Sequence, residues 1–481
     1  MRDHGAPTPG KTRKETLMER MPGLDAAFLY FETPTMHMHV SGVMVMDPST
    51  IEGGTYTFDW VLDQVNRRIV PQPEFRKIPV RVPFNLHRPV WAEDPNFDLR
   101  RHVKRIGCPA PGGPQELAEV ANEILSIPLD RNKPLWEMWV VEGLENGHVA
   151  LVAKMHHATI DGVTGANMMV HLFDFEPGAQ APPEPQLPEP EQLPSDLDLV
   201  GHAISSRLRT PFRLVRTLRE TGEVALNIAR RRLGGGEGMP APFSAPRTSF
   251  NGAITSRRAI SFVNLSLDEV KEVKKALDVT VNDVVLAVCG GALLRYLEEN
   301  GETLDKPLTS AIPISTHGES DGPGTNQVSA MFASLATDID DPVERVREIN
   351  KVSRAAKDEH SAIGANFLQN WGEFTGPNIG LAMRLYSRMG LAERHAPIHN
   401  LVISNVPGPP FPLYFGGAKL VSLNPLGPIM DGAGLNITVL SYLDSVGFGI
   451  VACPKAVSDV WRLAGHIPDA FDELKKAASA T

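Results

Sequence analysis

The chain has 481 residues, of which 42% are apolar and 22% are charged, and its formal net charge is −10. This length predicts two or three domains, and the composition is that of an ordinary soluble globular protein. The acidic balance argues against a nucleic-acid-binding protein, because such domains are usually basic.

The N-terminal segment, residues 1–20, is polar and charged and is predicted to be a flexible tail without the apolar run of a secretory signal. The longest apolar stretch, "VVLAVCGGALL" at 284–294, is shorter than the roughly 18 residues that a membrane span needs. It is predicted to be a buried helix. Cys108, Cys289 and Cys453 have neither metal nor disulfide spacing, so we expect a protein of the cytoplasm.

Residues 21–175 contain segments with the apolar pattern of strands and segments with that of helices. Three segments are predicted to be strands: 37–48, 136–144 and 148–157. Three others have the apolar spacing of helices: 58–70, 115–126 and 164–175. The turn "ENG" between the last two strands predicts that they pair as a hairpin. This alternation indicates an α/β or α+β fold.

The next region, residues 176–249, is predicted to connect two lobes. Its first part, 176–195, contains seven prolines among acidic and amide side chains, which is typical of an extended linker. Residues 199–233 then carry eight arginines, with apolar residues at helical spacing that begin at Val200 and Ile204. Two interpretations stay open: this helix lies on anionic lipid headgroups, or it packs on a lobe with its arginines in solvent.

Residues 250–475 form a second dense block. Strands are predicted over 257–266, 308–315 and 401–407, and a hairpin over 434–452 with its turn at "LDS". Helices are predicted over 267–277 and 281–301, the second with Gly301 as its C-terminal cap. The chain is therefore predicted to have an N-terminal lobe, residues 21–175, and a C-terminal lobe of similar size.

The segment "KMHHATIDG", residues 154–162, concentrates groups that carry chemistry. Adjacent residues of a strand point to opposite faces, so His156 and His157 do not both face one ligand, and no third ligand stands at zinc spacing. We therefore expect no metal, although a zinc hydrolase stays a third alternative. Asp161, followed by Gly162, either fixes an imidazole tautomer or pairs with an arginine, and either leaves one histidine as a base near its ordinary pKa of about 6.5.

No nucleophilic side chain accompanies this base. The sequence has no G-x-S-x-G elbow and no cysteine in a catalytic setting. A histidine base without a nucleophile indicates that it deprotonates the substrate itself. The reaction predicted is direct transfer, in which a hydroxyl or amine attacks an activated acyl group.

Several segments resemble a known family. "HHATIDG" fits the H-H-x-x-x-D-G motif of acyl-CoA-dependent acyltransferases built like chloramphenicol acetyltransferase. The flanking text is similar to the bacterial wax ester synthase/diacylglycerol acyltransferase family at 24–40, 128–144, 280–297 and 400–420. The "PLW" element at 134–136 and the "ND" element at 282–283 are the most specific parts.

The resemblance implies two chloramphenicol acetyltransferase-like lobes, with mixed sheets flanked by helices and a tunnel between them. It implies that acyl-CoA is a co-substrate, that no cofactor is needed, and that the acceptor is diacylglycerol or a long-chain alcohol. His157 would be the general base and His156 its support, while Asp161 would shape the loop and Gly162 would allow the turn. Such substrates imply peripheral contact with the inner face of the plasma membrane or with lipid droplets.

The resemblance also assigns substrate-binding roles in the C-terminal lobe, each with a structural alternative. Asn282 and Asp283 would close the site or polarise the thioester carbonyl. Asp283 is equally explained as a helix N-cap, and Asn405 as a turn residue before proline. Two other functions stay open: an acyltransferase with a different hydroxyl or amine acceptor, and a lipid-binding protein that retains an idle motif.

Overall fold

The computed structural model describes residues 19–53, 56–159, 169, 171–187, 192–207, 219, 238–241, 243–315, 328–363 and 377–480. Of the predicted tail, only Glu19 and Arg20 belong to this part, and they form a short strand. Asp161 and Gly162 lie outside the described residues, as do residues 164–168 and 170 of the predicted helix at 164–175.

The described residues form nine α-helices and fifteen β-strands. The helices are α1 (Gly23–Phe31), α2 (Phe58–Arg68), α3 (Pro114–Ser126), α4 (Asp196–Arg207), α5 (Leu267–Leu277), α6 (Val281–Glu299), α7 (Pro342–Ile363), α8 (Pro377–Arg388) and α9 (Val460–Ser479). The strands are β1 (Glu19–Arg20), β2 (His39–Asp47), β3 (Lys77–Val80), β4 (Val90–Glu93), β5 (Val103–Gly107), β6 (Trp136–Glu142), β7 (Val149–His156), β8 (Ala259–Ser266), β9 (Thr309–Ser315), β10 (Val328–Ser334), β11 (Leu401–Val406), β12 (Tyr414–Phe415), β13 (Ala418–Leu426), β14 (Leu435–Tyr442) and β15 (Ser445–Ala452).

The first large sheet has the strand order β12-β13-β2-β7-β6-β5. Every residue of β7 is buried, and alternate residues enter two different apolar clusters because successive side chains of a strand point to opposite faces. Helix α2 packs on one face through Val61 and Val65. Helix α3 packs on the other face through Leu117 and Ile124, and it also contacts β8 of the second sheet.

The second large sheet has the strand order β10-β9-β11-β14-β15-β8. It is mixed, because β11 runs parallel to both β9 and β14 while the other pairs are antiparallel. The predicted hairpin at 434–452 is β14 and β15, with Leu443 in the left-handed region at its turn. Helix α6 contains the predicted apolar run and is buried over most of its length, as a helix that is apolar all round must be.

The second half of the chain contributes two strands to the first large sheet. Strands β12 and β13 follow β11 of the second sheet along the chain, yet β13 pairs antiparallel with β2 of the first sheet. The backbone of β13 also crosses β15 closely, and a Cβ atom at Gly449 would lie 1.8 Å from the carbonyl oxygen of Pro425. The predicted lobe boundaries followed the order of the chain and did not assign β12 and β13 to the first sheet.

A third, small sheet with the order β1-β4-β3 supports helix α4. The start of the predicted basic helix is present in α4, where Ile204 is 58% exposed. The helix instead packs through Leu199 and Ala203 against Val82 and Val90. The remainder of the basic stretch lies outside the described residues apart from Arg219.

The predicted fold class, α/β with mixed sheets flanked by helices, is confirmed. Within the part of the chain that the structure describes, no single helix has the length and apolar character needed to cross a bilayer. Helices α5 and α6 meet that criterion only together, with a bend of 101° between them.

Candidate active site

His157 lies where β7 ends, in a single 3-10 turn formed by residues 157–159. Its backbone N–H donates to the carbonyl oxygen of Met38 at 2.7 Å. Its imidazole stacks on the ring of Phe28 in α1, with centroids 3.9 Å apart and planes inclined by 22°. The backbone and the ring are thus both held, while the side chain remains partly accessible.

The electrostatic environment keeps His157 neutral. Burial lowers the pKa of its imidazole to about 4, and the nearby His156 lowers it further in the same direction. The sequence predicted a base with an ordinary pKa, and that prediction was wrong because the strand end is packed beneath α1. At neutral pH the ring is unprotonated and able to accept a proton.

His156 is fully buried and turned away from solvent. Its Nδ1 accepts a hydrogen bond from the backbone N–H of Ala158 at 3.0 Å, so in the neutral ring the proton lies on Nε2. That Nε2 lies 3.3 Å from a carboxylate oxygen of Glu32. The neighbouring histidines therefore have different environments, as the alternation of strand side chains predicted.

The sequence interpretation did not identify Glu32 and Arg131. Glu32 follows α1 and is buried, and its carboxylate accepts hydrogen bonds from both Nε and Nη2 of Arg131. Burial would raise the pKa of Glu32, but His156 and Arg131 outweigh it and lower the pKa to about 2. Arg131 Nη2 also donates to the carbonyl oxygen of Leu29 in α1 at 2.8 Å.

Both residues lie in segments that the sequence had singled out for other reasons. Glu32 stands in "LDAAFLYFETPTMHMHV" and Arg131 in "PLDRNKPLWEMWVVEGL". The available signal was one acidic residue directly after an apolar helical run, and one arginine beside the "PLW" element. Neither signal reveals that the two side chains meet, because 99 residues separate them.

Further buried polar side chains lie behind the two histidines. His39 is opposite His156 in the register of β2 and β7, and its Nε2 accepts from the backbone N–H of Leu129. Lys154 is buried and donates to the carbonyl oxygens of Ile124 and Ile127, at 2.9 Å each. These bonds tie β7 to the C-terminal end of α3 and hold the strand that positions the histidines.

The structure brings Asn282 and Asn405 together, from the start of α6 and the end of β11. The amide nitrogen of Asn405 lies 3.4 Å from the amide oxygen of Asn282. Asp283 is buried and accepts from the backbone N–H and hydroxyl of Thr280 and from Asn350 at 2.6 Å. Thr280 is the N-cap of α6 and Asp283, three residues later, completes a capping box with it. Asp283 thus serves the start of the helix, as one of its two interpretations held, but it is not the N-cap itself.

Metal-ligating side chains do not cluster in the part of the chain that the structure describes. No group of three or more His, Cys, Asp or Glu residues there has the arrangement to hold a metal ion. The chemistry that the described site offers is that of a neutral imidazole, supported by a buried histidine, a buried carboxylate and a partly exposed guanidinium.

Two family models match the chain. The model of the wax ester synthase/diacylglycerol acyltransferase catalytic domain matches residues 21–285, and that of the WS/DGAT C-terminal domain matches residues 324–475.

Two similar proteins of Mycobacterium tuberculosis (strain CDC 1551 / Oshkosh) carry names that describe a diacylglycerol O-acyltransferase. One is 42% identical over 461 residues, which cover 95% of this chain and 90% of the relative. The other is 36% identical over 468 residues, which cover 96% of this chain and 97% of the relative.

Solved structures share the architecture. The wax ester synthase/diacylglycerol acyltransferase from Marinobacter aquaeolei VT8 is 27% identical, with a TM-score of 0.70 over 96% of this chain and 100% of that one. The first condensation domain of the calcium-dependent antibiotic synthetase, 14% identical, has a TM-score of 0.55 over 96% of this chain and 97% of that one, and shares the fold alone. The predicted architecture of two lobes is thereby confirmed.

Proposed function

The chain belongs to the wax ester synthase/diacylglycerol acyltransferase family of acyltransferases, and we propose that it acylates diacylglycerol with long-chain acyl-CoA to give triacylglycerol. The observation that carries this proposal is His157, a neutral and partly accessible imidazole fixed at the end of β7 by Phe28 and Met38. Acyl-CoA is the co-substrate, and the proposed reaction needs no cofactor.

His157 acts in this proposal as the general base. It accepts the proton of the acceptor hydroxyl while the oxygen attacks the thioester carbonyl and a C–O bond forms. An imidazole with so low a pKa is a weak base, so proton transfer is concerted with attack and no free alkoxide forms. When the tetrahedral intermediate collapses, the C–S bond breaks and the imidazolium returns the proton to the thiolate, which leaves as CoA.

His156, Glu32 and Arg131 position the base. His156 is unsuited to be the base itself, because its Nδ1 accepts from Ala158 and its Nε2 faces Glu32. Arg131 clamps Glu32 and the carbonyl oxygen of Leu29 at the end of α1, the helix that carries Phe28. Glu32 in turn faces His156 and so connects α1 to the end of β7. A displacement of either element would move His157 relative to the reacting atoms.

Asn282 and Asn405 are proposed to contact the thioester from the C-terminal lobe. Two side-chain amides that lie side by side are suited to donate hydrogen bonds to the developing oxyanion. Asp161 is proposed to shape the loop after the histidines, and Gly162 to allow its turn. The substrates would meet in a tunnel between the lobes, with acyl-CoA entering from one side and the lipid from the other.

An acyl-transfer assay with purified protein and labelled palmitoyl-CoA tests the proposal. Diacylglycerol and hexadecanol are offered in parallel, to the parent protein and to His157→Ala and His156→Ala. We expect labelled triacylglycerol that is nearly abolished in His157→Ala and reduced less in His156→Ala. Full activity of His157→Ala would contradict the general-base assignment, and no turnover of acyl-CoA would favour a lipid-binding protein.

Wax ester synthesis is the second candidate activity. It is favoured by the likeness to the Marinobacter structure, whose name includes wax ester synthase. Labelled wax ester in the hexadecanol reaction would add this activity, whereas free CoA without either ester would indicate hydrolysis or another acceptor. Because both acceptors are lipids, we propose that the protein works at the inner face of the plasma membrane or on lipid droplets.

A further inference from the structure

Helix α8 and the residue after it present three large apolar side chains to solvent. Leu381 is 64% exposed, Leu385 48% and Met389 52%. They are spaced by four residues, which places them one above the other on one face of a helix. An exposed apolar stripe of this kind marks an interaction surface more often than an isolated exposed leucine does.

Positive charge accompanies the stripe. Arg384 and Arg388 lie in the same helix and are exposed, and α8 contains no acidic residue. Among the described residues, neither guanidinium takes part in an ion pair. In a chain with a formal net charge of −10, this helix is therefore a locally basic element.

The opposite face of α8 is packed, which fixes the direction of the stripe. Gly380 lies against Tyr30 of α1, where a Cβ atom would be 3.4 Å from the Tyr30 carbonyl oxygen. The hydroxyl groups of Ser387 and Thr35 are hydrogen-bonded at 3.1 Å. Since α1 carries Phe28, which stacks on His157, the exposed stripe belongs to a helix packed directly against the wall of the candidate active site.

A strained aromatic residue lies beside the same helix. Phe243 is 54% exposed and has a φ of 62°, a backbone conformation that non-glycine residues rarely adopt. Its ring meets His395 edge-on at 5.6 Å, and His395 is hydrogen-bonded to Tyr386 of α8 at 2.6 Å. The fold thus holds a further apolar ring outward next to α8.

We propose that the surface formed by Leu381, Leu385, Met389, Arg384 and Arg388 docks on an anionic phospholipid bilayer. The apolar stripe enters the boundary between headgroups and acyl chains, and the two guanidinium groups bind lipid phosphates. This inference rests on the proposed function and deepens it, because it places α8, which packs against the wall of the candidate active site, on the membrane that holds the lipid acceptor. It assigns the contact to α8, in addition to any contribution from the basic region at 199–233.

Vesicle co-sedimentation of the full chain tests the docking surface without requiring activity. The vesicles contain phosphatidylcholine alone, or phosphatidylcholine with phosphatidylglycerol. The parent protein should bind the anionic vesicles more tightly, and the preference should weaken with salt. The variants Arg384→Gln/Arg388→Gln and Leu381→Ser/Leu385→Ser should each lose binding by about 10-fold or more.

Control variants remove exposed cations and an exposed apolar side chain at other sites. Lys274→Gln/Lys275→Gln removes two exposed cations from helix α5, and Val421→Ser removes an exposed apolar side chain from β13. Both should bind vesicles like the parent, and thermal unfolding verifies that every variant is folded. Weak binding by the parent, or equal binding by the α8 variants, overturns the proposal.

Two further readouts separate this proposal from its alternatives. If the α8 variants change the oligomeric state but not vesicle binding, the stripe is an interface between copies of the chain and the proposal is overturned. Transfer of palmitate to diacylglycerol in detergent should be equal for the α8 variants and the parent. Vesicle binding without any such transfer would refute the proposed function and leave the docking surface standing.

Discussion

His157 and Glu32 are kept in defined protonation states, and the cause differs between them. His157 stacks on Phe28 of α1 and Glu32 is the C-cap residue of that helix, and burial disfavours the charged form of each side chain. Glu32 remains ionised because Arg131 and His156 face it, whereas burial keeps His157 neutral. The site therefore holds an ionised carboxylate behind a neutral imidazole, which is the protonation state that the proposed general base needs.

The pH dependence of acyl transfer follows from the pKa of His157. The active form is unprotonated, so kcat/KM should fall on the acid side with an apparent pKa near 4 in place of about 6.5. Folding stability should also decline over this window as pH falls, because the unfolded chain binds a proton that the folded chain does not. Rates measured against pH, with the folded fraction followed by circular dichroism, test this; an acid limb at 6.5 would contradict it.

Glu32→Gln should weaken both positioning and stability. It keeps the shape of the side chain but removes the charge that Arg131 and His156 face. We expect kcat to fall by about 10- to 100-fold and the free energy of unfolding to fall by about 3 kcal/mol. Enzyme kinetics with saturating acyl-CoA and urea unfolding measure the two effects.

Asp174→Asn is the matched control for Glu32→Gln. Asp174 pairs with the buried Arg68 through two hydrogen bonds of 2.8 and 2.6 Å, in a different part of the N-terminal lobe. This variant should lose stability by a similar amount with an unchanged kcat. Equal losses of kcat in both variants would show that Glu32 acts only through general stability.

The adjacent residues Asn282 and Asp283 at the N-terminus of α6 have different contacts, and we predict different roles for them. Asp283 completes the capping box with Thr280 and binds Asn350 of α7, whereas Asn282 contacts Asn405 of β11. Asp283→Ala should lower stability by about 2 kcal/mol with little change in the rate per folded molecule. Asn282→Ala should lower kcat by about 100-fold with little loss of stability, if its amide binds the oxyanion.

Single-turnover rates and urea midpoints for these two variants distinguish the roles. A larger loss of kcat in Asp283→Ala than in Asn282→Ala would contradict the assignment of Asp283 to the capping box. If both amides bind the oxyanion, Asn405→Ala should lower kcat by a factor similar to that of Asn282→Ala.

The junction between the two sheets depends on close backbone contact. β13 passes over β15 at Gly447 and Gly449, and a Cβ atom at Gly449 would overlap the backbone of β13. Gly449→Ala should therefore lower the free energy of unfolding by about 3 kcal/mol or more, because neither sheet is free to move away. Urea unfolding provides the measurement.

Gly465→Ala provides the opposite case. Gly465 is exposed within α9, and no atom lies within 4 Å of the position of an added Cβ. Alanine should raise stability by about 0.5–1 kcal/mol, because it restricts the unfolded chain and favours the helix. If both glycine variants have the same effect, the close approach of the sheets is not what constrains Gly449.

Most local elements could be predicted from the chain, because their causes are local. The hairpin at 434–452, the buried helix after Thr280 and the strand that ends at His156 follow from apolar period, capping residues and turn residues. The H-H-x-x-x-D-G segment and its flanking elements were sufficient to predict the family. The role of His157 as the general base stays a prediction. The roles of Asp161 and Gly162 stay predictions, because these residues lie outside the described part of the chain.

Other features depend on contacts between distant parts of the chain, and no local pattern contains them. Strand β13 was not predicted from the sequence, and its partner β2 lies far away in the chain, since Lys419 pairs with Asp47. The pairing of Glu32 with Arg131 and the low pKa of His157 likewise arise when α1 packs over the end of β7. The types of residue set the chemistry that is possible, and long-range packing sets the charge, the position and the neighbours with which each residue performs it.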